Sequence, residues 1–247
     1  MLRKRLIPSL LIKNSKLVKT IKFKNPSYVG DPLNAIHIFN EKEVDEIIVI
    51  DIEASINKVK PNYNFIYKIS SECFMPLCYG GGIDELDTAK KIFDLGVEKI
   101  CLQSTVLKSY KIIEEISKIY GSQSVVISAD IKKNIFGQYK LFSRNKNLSI
   151  KINWKKHISN CTNHGAGEFL INSVDKDGTL SGLDLNLIKE IKSISSVPFI
   201  IIGGVNSLED AKNGIVNGAD AIAAGSFFVY HGPHRAVLIT YPTNHEL

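Results

Sequence analysis

The chain repeats itself at an offset of 122 residues. Gly81-Gly82-Ile83, Gly96 and Gln103-Ser104 in the first half recur as Gly203-Gly204-Val205, Gly218 and Gly225-Ser226 in the second, and Glu46 and Glu168 keep the same spacing. Two like halves, each alternating apolar runs with amphipathic helices, describe one closed barrel better than two domains. The repeat therefore predicts a single (β/α)8 TIM barrel over residues 1–247, with half-barrels of about 1–120 and 121–247. Such barrels run to about 250 residues, so the length fits.

Eight runs read as strands: Leu6–Ile12, Glu46–Asp51, Met75–Cys78, Lys99–Leu102, Ser124–Asp130, Gly167–Ser173, Pro198–Ile202 and Ala221–Ala224. Most are continuously apolar, as parallel strands covered by helices on the outside must be. The clearest helical patterns between them are Asp31–Lys42, Asp84–Leu95, Ser109–Tyr120, Trp154–His164, Asp184–Ser193 and Ser207–Asn217. Asp84 and Ser207 read as N-caps, and Gly96 and Gly218 as stops just past a helix end. An open dinucleotide-binding sheet is the competing α/β architecture. Gly80-Gly81-Gly82 lacks its GxGxxG spacing, and no acidic residue follows at the required distance.

Composition narrows the function. The net charge of +6 comes mostly from scattered lysines, whereas a nucleic-acid protein concentrates them on one face. No apolar run nears the ~20 residues of a membrane span. The start, Met1-Leu2-Arg3-Lys4-Arg5 and then Leu6 to Ile12, faintly mimics a signal peptide, but Pro8 and Lys13 interrupt it and no small-residue cleavage site follows. Cys73, Cys78, Cys101 and Cys161 show no CxxC spacing and read as reduced thiols of a cytoplasmic protein. Neither a metal nor a cofactor is implied. His231 and His234 flank Gly232-Pro233, where a turn is the simpler reading than a site. One lysine-dense stretch, Lys13, Lys16, Lys19, Lys22 and Lys24, is either a solvated loop or a mobile basic flap over an anionic substrate.

In a barrel of this kind the chemistry sits at the C-terminal strand ends. Gly80-Gly81-Gly82 with Gln103-Ser104, and Gly203-Gly204 with Gly225-Ser226, stand there as a matched pair. Glycine allows the backbone to approach a ligand closely, so its N–H groups can point at phosphate oxygens. Two such grips on one rim predict a long substrate with a phosphate at each end. Asp130 ends an apolar strand and is a candidate general acid or base; the plain alternative is a structural acid paired with Lys132. Asp175-Lys176-Asp177-Gly178-Thr179 is a turn that also stands on the substrate rim. Asp51 is an orienting acid or a loop cap. At the opposite rim, Arg5, Glu46, Lys99 and Glu168 each open a strand, predicting a ring of ion pairs that serves stability or gates the barrel interior.

From Met1 to about Val229 the chain resembles the cyclase (HisF-type) subunit of imidazole glycerol phosphate synthase. The resemblance runs through Lys4-Arg5-Leu6-Ile7-Pro8, Gly30-Asp31-Pro32, Asp51-Ile52-Glu53-Ala54-Ser55, Gly80-Gly81-Gly82-Ile83, Gly165-Ala166-Gly167-Glu168 and Asp175-Lys176-Asp177-Gly178-Thr179. It implies a HisH-like glutaminase docked on the N-terminal face, with ammonia passing through the barrel to a phosphorylated small-molecule substrate at the top. By the same resemblance, Arg5, Glu46, Lys99 and Glu168 are the gate. Gly82, Gln103, Ser104, Asp177, Gly178, Gly204, Gly225 and Ser226 bind phosphate, Lys19 is the flap lysine, and Asp130 is a catalytic aspartate.

The departures redirect the reading. The family carries its other catalytic aspartate at the end of strand one, where this chain reads Ser9-Leu10-Leu11-Ile12-Lys13. Leu11 can neither donate nor accept a proton, and a general acid–base role is typically worth about 10²–10⁴-fold. Asn14-Ser15 replaces the flap Asp-Gly, Gln103 replaces asparagine, and the stretch after Val229 is unlike the family's final helix. That stretch resembles a divergent branch associated with surface-sugar biosynthesis, whose members are thought to pass ammonia to a sugar amidotransferase that makes acetamidino groups. Three rivals are expected to be separable from it: ordinary cyclisation in histidine biosynthesis, a non-catalytic scaffold that activates the glutaminase, and the sister isomerase, which has no use for a gate.

Overall fold

The structure, a computed structural model, describes residues 4–144, 148–232 and 234–242. Eight parallel strands close into a barrel: β1 (Arg5–Lys13), β4 (Ile47–Asp51), β5 (Leu77–Gly80), β6 (Lys99–Leu102), β7 (Val125–Lys133), β10 (Glu168–Ser173), β11 (Phe199–Ile202) and β12 (Ala221–Ala224). The ring closes where β7 pairs with β10 and β12 pairs with β1. Outside it lie α1 (Pro32–Glu41), α3 (Tyr63–Glu72), α4 (Leu86–Asp94), α5 (Lys111–Tyr120), α6 (Trp154–Asn163), α7 (Leu185–Lys192) and α8 (Leu208–Val216), with a short α2 (Ala54–Asn57) behind β4. Their apolar faces meet the outward strand side chains in one continuous core that includes Phe39, Ile66, Ile92, Ile113 and Phe169.

Alternation along each strand sends every second side chain into the barrel. On β1 these are Arg5, Ile7, Ser9 and Leu11, on β7 Val126, Ser128 and Asp130, and on β10 Glu168, Leu170 and Asn172. Each strand thus carries successive layers: charge at the bottom of some, apolar groups in the middle, and polar groups at the top.

All eight expected strands are present, though the third is Leu77–Gly80 rather than Met75–Cys78. Ser207 caps α8 by accepting the Asp210 N–H, as expected, and Gly96 and Gly218 lie just past their helix ends at φ of 90° and 116°. Asp84 is a correction. It does not cap α4, whose N-cap is Glu85 without a side-chain bond; the Asp84 carboxylate instead takes Lys60 at 2.7 Å and the Thr88 hydroxyl at 3.3 Å.

The lysine-dense stretch is not an irregular loop. It is a hairpin of β2 (Lys16–Ile21) and β3 (Lys24–Gly30) that extends β1. Lys13 pairs with Lys16 across Asn14-Ser15, both at positive φ (49° and 57°), the geometry of a two-residue turn matched to strand twist. β7 also continues past the rim, into a hairpin with β8 (Tyr139–Ser143) followed by β9 (Leu148–Ser149).

After the short α9 (Ser226–Val229) no eighth long helix follows among the described residues. The chain makes a small hairpin of β13 (Tyr230–His231) and β14 (Ala236–Val237), around the expected turn, of which Pro233 lies outside the described residues. Tyr241 then enters the core. Its ring stacks on Phe228 at 5.3 Å, Phe228 meets Phe39 of α1 edge-on, and the Tyr241 hydroxyl donates to the Leu6 carbonyl at 2.8 Å. The tail therefore fills the gap between α8 and α1 with one aromatic plug. Tyr241→Ala should destabilise the chain by about 3–5 kcal/mol, as for other buried aromatics. Tyr241→Phe should cost about 1 kcal/mol, the net worth of one hydrogen bond. Urea unfolding of both variants checks the ranking, and equal midpoints would remove the tail from the core.

Candidate functional site

At the N-terminal rim four charged side chains from four strands form a closed ring. Arg5 bonds Glu46 through one guanidinium nitrogen and Glu168 through the other. Lys99 reaches Glu46 at 2.9 Å and Glu168 at 3.1 Å. Both carboxylates are buried, so each is satisfied by two cations rather than by water. Burial alone would lower the Arg5 and Lys99 pKa values; Glu168 and Glu46 outweigh it and hold both above their ordinary range. Above the ring the lumen is apolar: Ile7, Ile48, Cys78, Cys101, Val126, Leu170, Ile200 and Ala223 supply one side chain from each strand. All four cysteines are free thiols.

At the other end of the barrel lies a cavity lined by residues of both grips together with Leu11, Lys19, Asp51, Asp130, Asp177 and Gly178. The two grips are not equivalent. At the first, the Gly82 N–H is taken by the Ser55 hydroxyl at 3.3 Å and the Gln103 amide by Asp130 at 2.5 Å, while Ser104 lines the cavity. At the second, Lys19 occupies the space beside Gly225; a Cβ there would sit 2.4 Å from its ammonium. Lys19 is fully buried and donates to the Ser9 carbonyl at 2.6 Å. Burial lowers its pKa to about 8, against the pull of Asp177.

Asp177 and Gly178 act on the hairpin. The Asp177 carboxylate accepts the Thr20 hydroxyl and the Phe23 N–H, both at 3.2 Å, and its carbonyl accepts the Lys22 N–H at 3.0 Å. Gly178, at φ 68°, lies so close that a Cβ would stand 2.0 Å from the Thr20 carbonyl oxygen. The β2–β3 hairpin is thereby latched down over the cavity. Asp51 serves as a loop cap, since its Oδ1 accepts the Glu53 and Ala54 N–H groups at 3.0 Å, while still lining the cavity.

Asp130 pairs with Gln103 and not with Lys132. Burial pushes its carboxyl up to about 7; the Gln103 bond opposes the shift and the Asp177 charge adds to it. β1 and β7 stand on opposite sides of the ring, so Leu11 faces the Asp130 side of the cavity with a hydrocarbon.

The chain matches the model of the histidine biosynthesis protein family over residues 5–234. It belongs to that family. Over its full length it is 47% identical to a Pseudomonas aeruginosa protein provisionally named imidazole glycerol phosphate synthase subunit hisF2, and covers 99% of it. It is 43% identical, again over its full length and 95% of the relative, to a Vibrio vulnificus protein provisionally named subunit hisF3. To the HisF subunit of Exiguobacterium sibiricum it is 35% identical over 92% of this chain and 91% of that one. It is a HisF-like paralogue.

Several cavity residues of this HisF-like chain escape a reading of strand ends. Ser9 and Ser55 act through a carbonyl and a hydroxyl; both lie in stretches matched to the family, but neither stands out there as a site residue. Asn172 lines the cavity with a buried Oδ1 that has no hydrogen-bond partner among the described residues. Arg144 lines it from the end of β8, a hairpin the strand pattern did not reveal. No helix among the described residues is long and apolar enough to cross a membrane, and no cluster of metal-ligating side chains is found among them.

Two outcomes follow from this geometry. A carboxyl whose folded pKa is raised loses stability as pH climbs from its unfolded value, about 3.9, through its folded value. Asp130→Asn removes that loss, so the variant should gain on the parent between pH 4 and pH 7, by roughly a few kcal/mol at pH 8, and gain little at pH 4. Urea unfolding at the two pH values measures it, and a pH-independent difference would contradict the burial argument. Gly178→Ala should unseat the hairpin, seen as faster amide exchange over Val18–Ile21 than in the parent. Unchanged protection there would rule out the latch.

Proposed function

We propose that this chain is the barrel subunit of a glutamine-dependent amidotransferase. A separate HisH-like glutaminase docks on the N-terminal face, beneath the ring of Arg5, Glu46, Lys99 and Glu168, and releases ammonia into the lumen. A dry apolar lumen suits neutral ammonia and excludes ammonium, whose charge would be stranded there. The single domain acts in the cytoplasm and delivers ammonia at the cavity end, where Asp130 is the catalytic residue and the two grips hold a phosphorylated small molecule.

Within that reading, the acceptor chemistry is amidination of a sugar for a surface glycan such as O-antigen or flagellin glycan, with a sugar amidotransferase as a further partner. One observation carries the preference over cyclisation: the ring and lumen are complete while Leu11 stands opposite Asp130. Cyclisation with elimination uses one carboxyl to donate as another accepts, and this cavity presents a leucine in one of the two places. Cyclisation to imidazole glycerol phosphate is the second reading, favoured by the retention of both grips and of Asp130.

An assay with ammonia as nitrogen donor and the bis-phosphorylated ribulosyl intermediate that the resembled cyclase converts separates the two. The expected turnover is about 10²–10⁴-fold below that of a two-aspartate cyclase, and Leu11→Asp should raise it. Turnover at the level of a two-aspartate cyclase would overturn the preference.

A further inference from the structure

The two grips face an anion with unequal means. At the second, a buried ammonium is already in place beside Gly225. At the first, two of the expected donors are committed, Gly82 N–H to Ser55 and the Gln103 amide to Asp130. The nearby carboxylates, Asp51 and Asp130, would repel a phosphate rather than bind it. A dianion at this end therefore needs a cation that neither the glycines nor Gln103 provide.

Arg144 stands in the right place. It leaves the end of β8, on the β7 side of the mouth, and its Nη1 donates to the Ile52 carbonyl at 3.3 Å, at the end of β4. β5 and β6, whose ends carry Gly82, Gln103 and Ser104, lie between β4 and β7 in the ring. The side chain therefore spans the mouth on the side of the first grip, with Asp130, Glu53 and Asp177 as its charged neighbours. The Ile52 carbonyl that holds it belongs to the same turn as Ser55, which takes the Gly82 N–H. A guanidinium carries five N–H donors, and among the described residues one of those of Arg144 is used. The group is half-buried and lines the cavity. A planar fork of donors suits a phosphate better than a point charge does.

We propose that Arg144 is the cationic donor of the first grip, binding the phosphate, or an equivalent dianionic group, at the Gly82–Ser104 end of a ligand whose other anionic end lies against Lys19. The assignment rests on the two-grip reading above and gives each grip its own cation: Lys19 from the β2–β3 hairpin for one, Arg144 from the β7–β8 hairpin for the other. Both cations come from extensions of the barrel strands rather than from the strand ends themselves. Retaining its bond to Ile52, the guanidinium can present its remaining edge to the ligand without leaving its seat.

Inorganic phosphate is the probe, and backbone amide resonances of the full chain report each grip separately. In the parent, phosphate should produce saturable shifts at Gly82 and Ser104 and at Gly225 and Ser226. Arg144→Ala should weaken the first response about tenfold or more and leave the second within about twofold, as expected for loss of a charge-assisted bond. Arg144→Lys should recover part of the first response. Lys19→Ala should do the converse, losing the second response and keeping the first. Unchanged affinity at Gly82 and Ser104 in Arg144→Ala would overturn the assignment while leaving the two-grip reading intact. Equal weakening at both grips would also overturn it, marking Arg144 as a strut that merely ties the hairpin to β4. Absence of a saturable response at either grip in the parent would overturn both the assignment and the two-grip reading.

Discussion

Alternation along eight parallel strands sets the functional positions in this molecule. A two-residue period allows one strand to place a charge at the bottom, an aliphatic side chain in the middle and a polar group at the top, all facing inward. β10 does so with Glu168, Leu170 and Asn172, and β1 with Arg5, Ile7 and Ser9. A one-residue slip would send these groups outward among the helices, where Glu168 would lose both its cations. The ion ring, the dry lumen and the cavity are thus three layers of one register, and their alignment follows from it.

The cavity is closed by material that is not part of the barrel. The β2–β3 hairpin is drawn down by Asp177, presses on Gly178 and carries Lys19 to the second grip. Lys19 and Asp130 are both buried in this cavity, and burial moves their pKa values toward each other, to about 8 and about 7. A carboxyl poised near neutrality can both hold and release a proton at working pH. The C-terminal tail steadies this lid from outside. Arg235 donates to the Gly178 carbonyl at 3.3 Å, and the Tyr230 and Ser27 hydroxyls meet at 3.1 Å.

The barrel was legible because its signals are periodic and repeated. Apolar runs, helix stops at Gly96 and Gly218, and the duplicated glycines all mark local backbone requirements that one residue type satisfies. The ion ring was legible for the same reason, since a charge opening a buried strand has nowhere to go but a partner. What the sequence hid lies in tertiary contact. Lys19, one lysine among five in its stretch, is singled out in the sequence only by the family resemblance; its burial comes from the fold of the hairpin, which leaves Lys16, Lys22 and Lys24 exposed. Asp177 resembles a ligand residue in a turn, yet in the closed molecule its carboxylate is committed to the hairpin. Arg144 lies beyond any strand-end pattern and reaches the cavity across the mouth. Asp84 misled because an acid before a helix is a good cap by type, and a nearby Lys60 draws it away.

At the cavity end of the barrel one buried carboxyl stands opposite a leucine. Following the Asp130 side-chain carboxyl carbon by NMR across pH 3 to 9 tests this directly. The structure predicts a titration midpoint near 7, raised by burial. A midpoint near the ordinary aspartate value of about 3.9 would place Asp130 in water and contradict it.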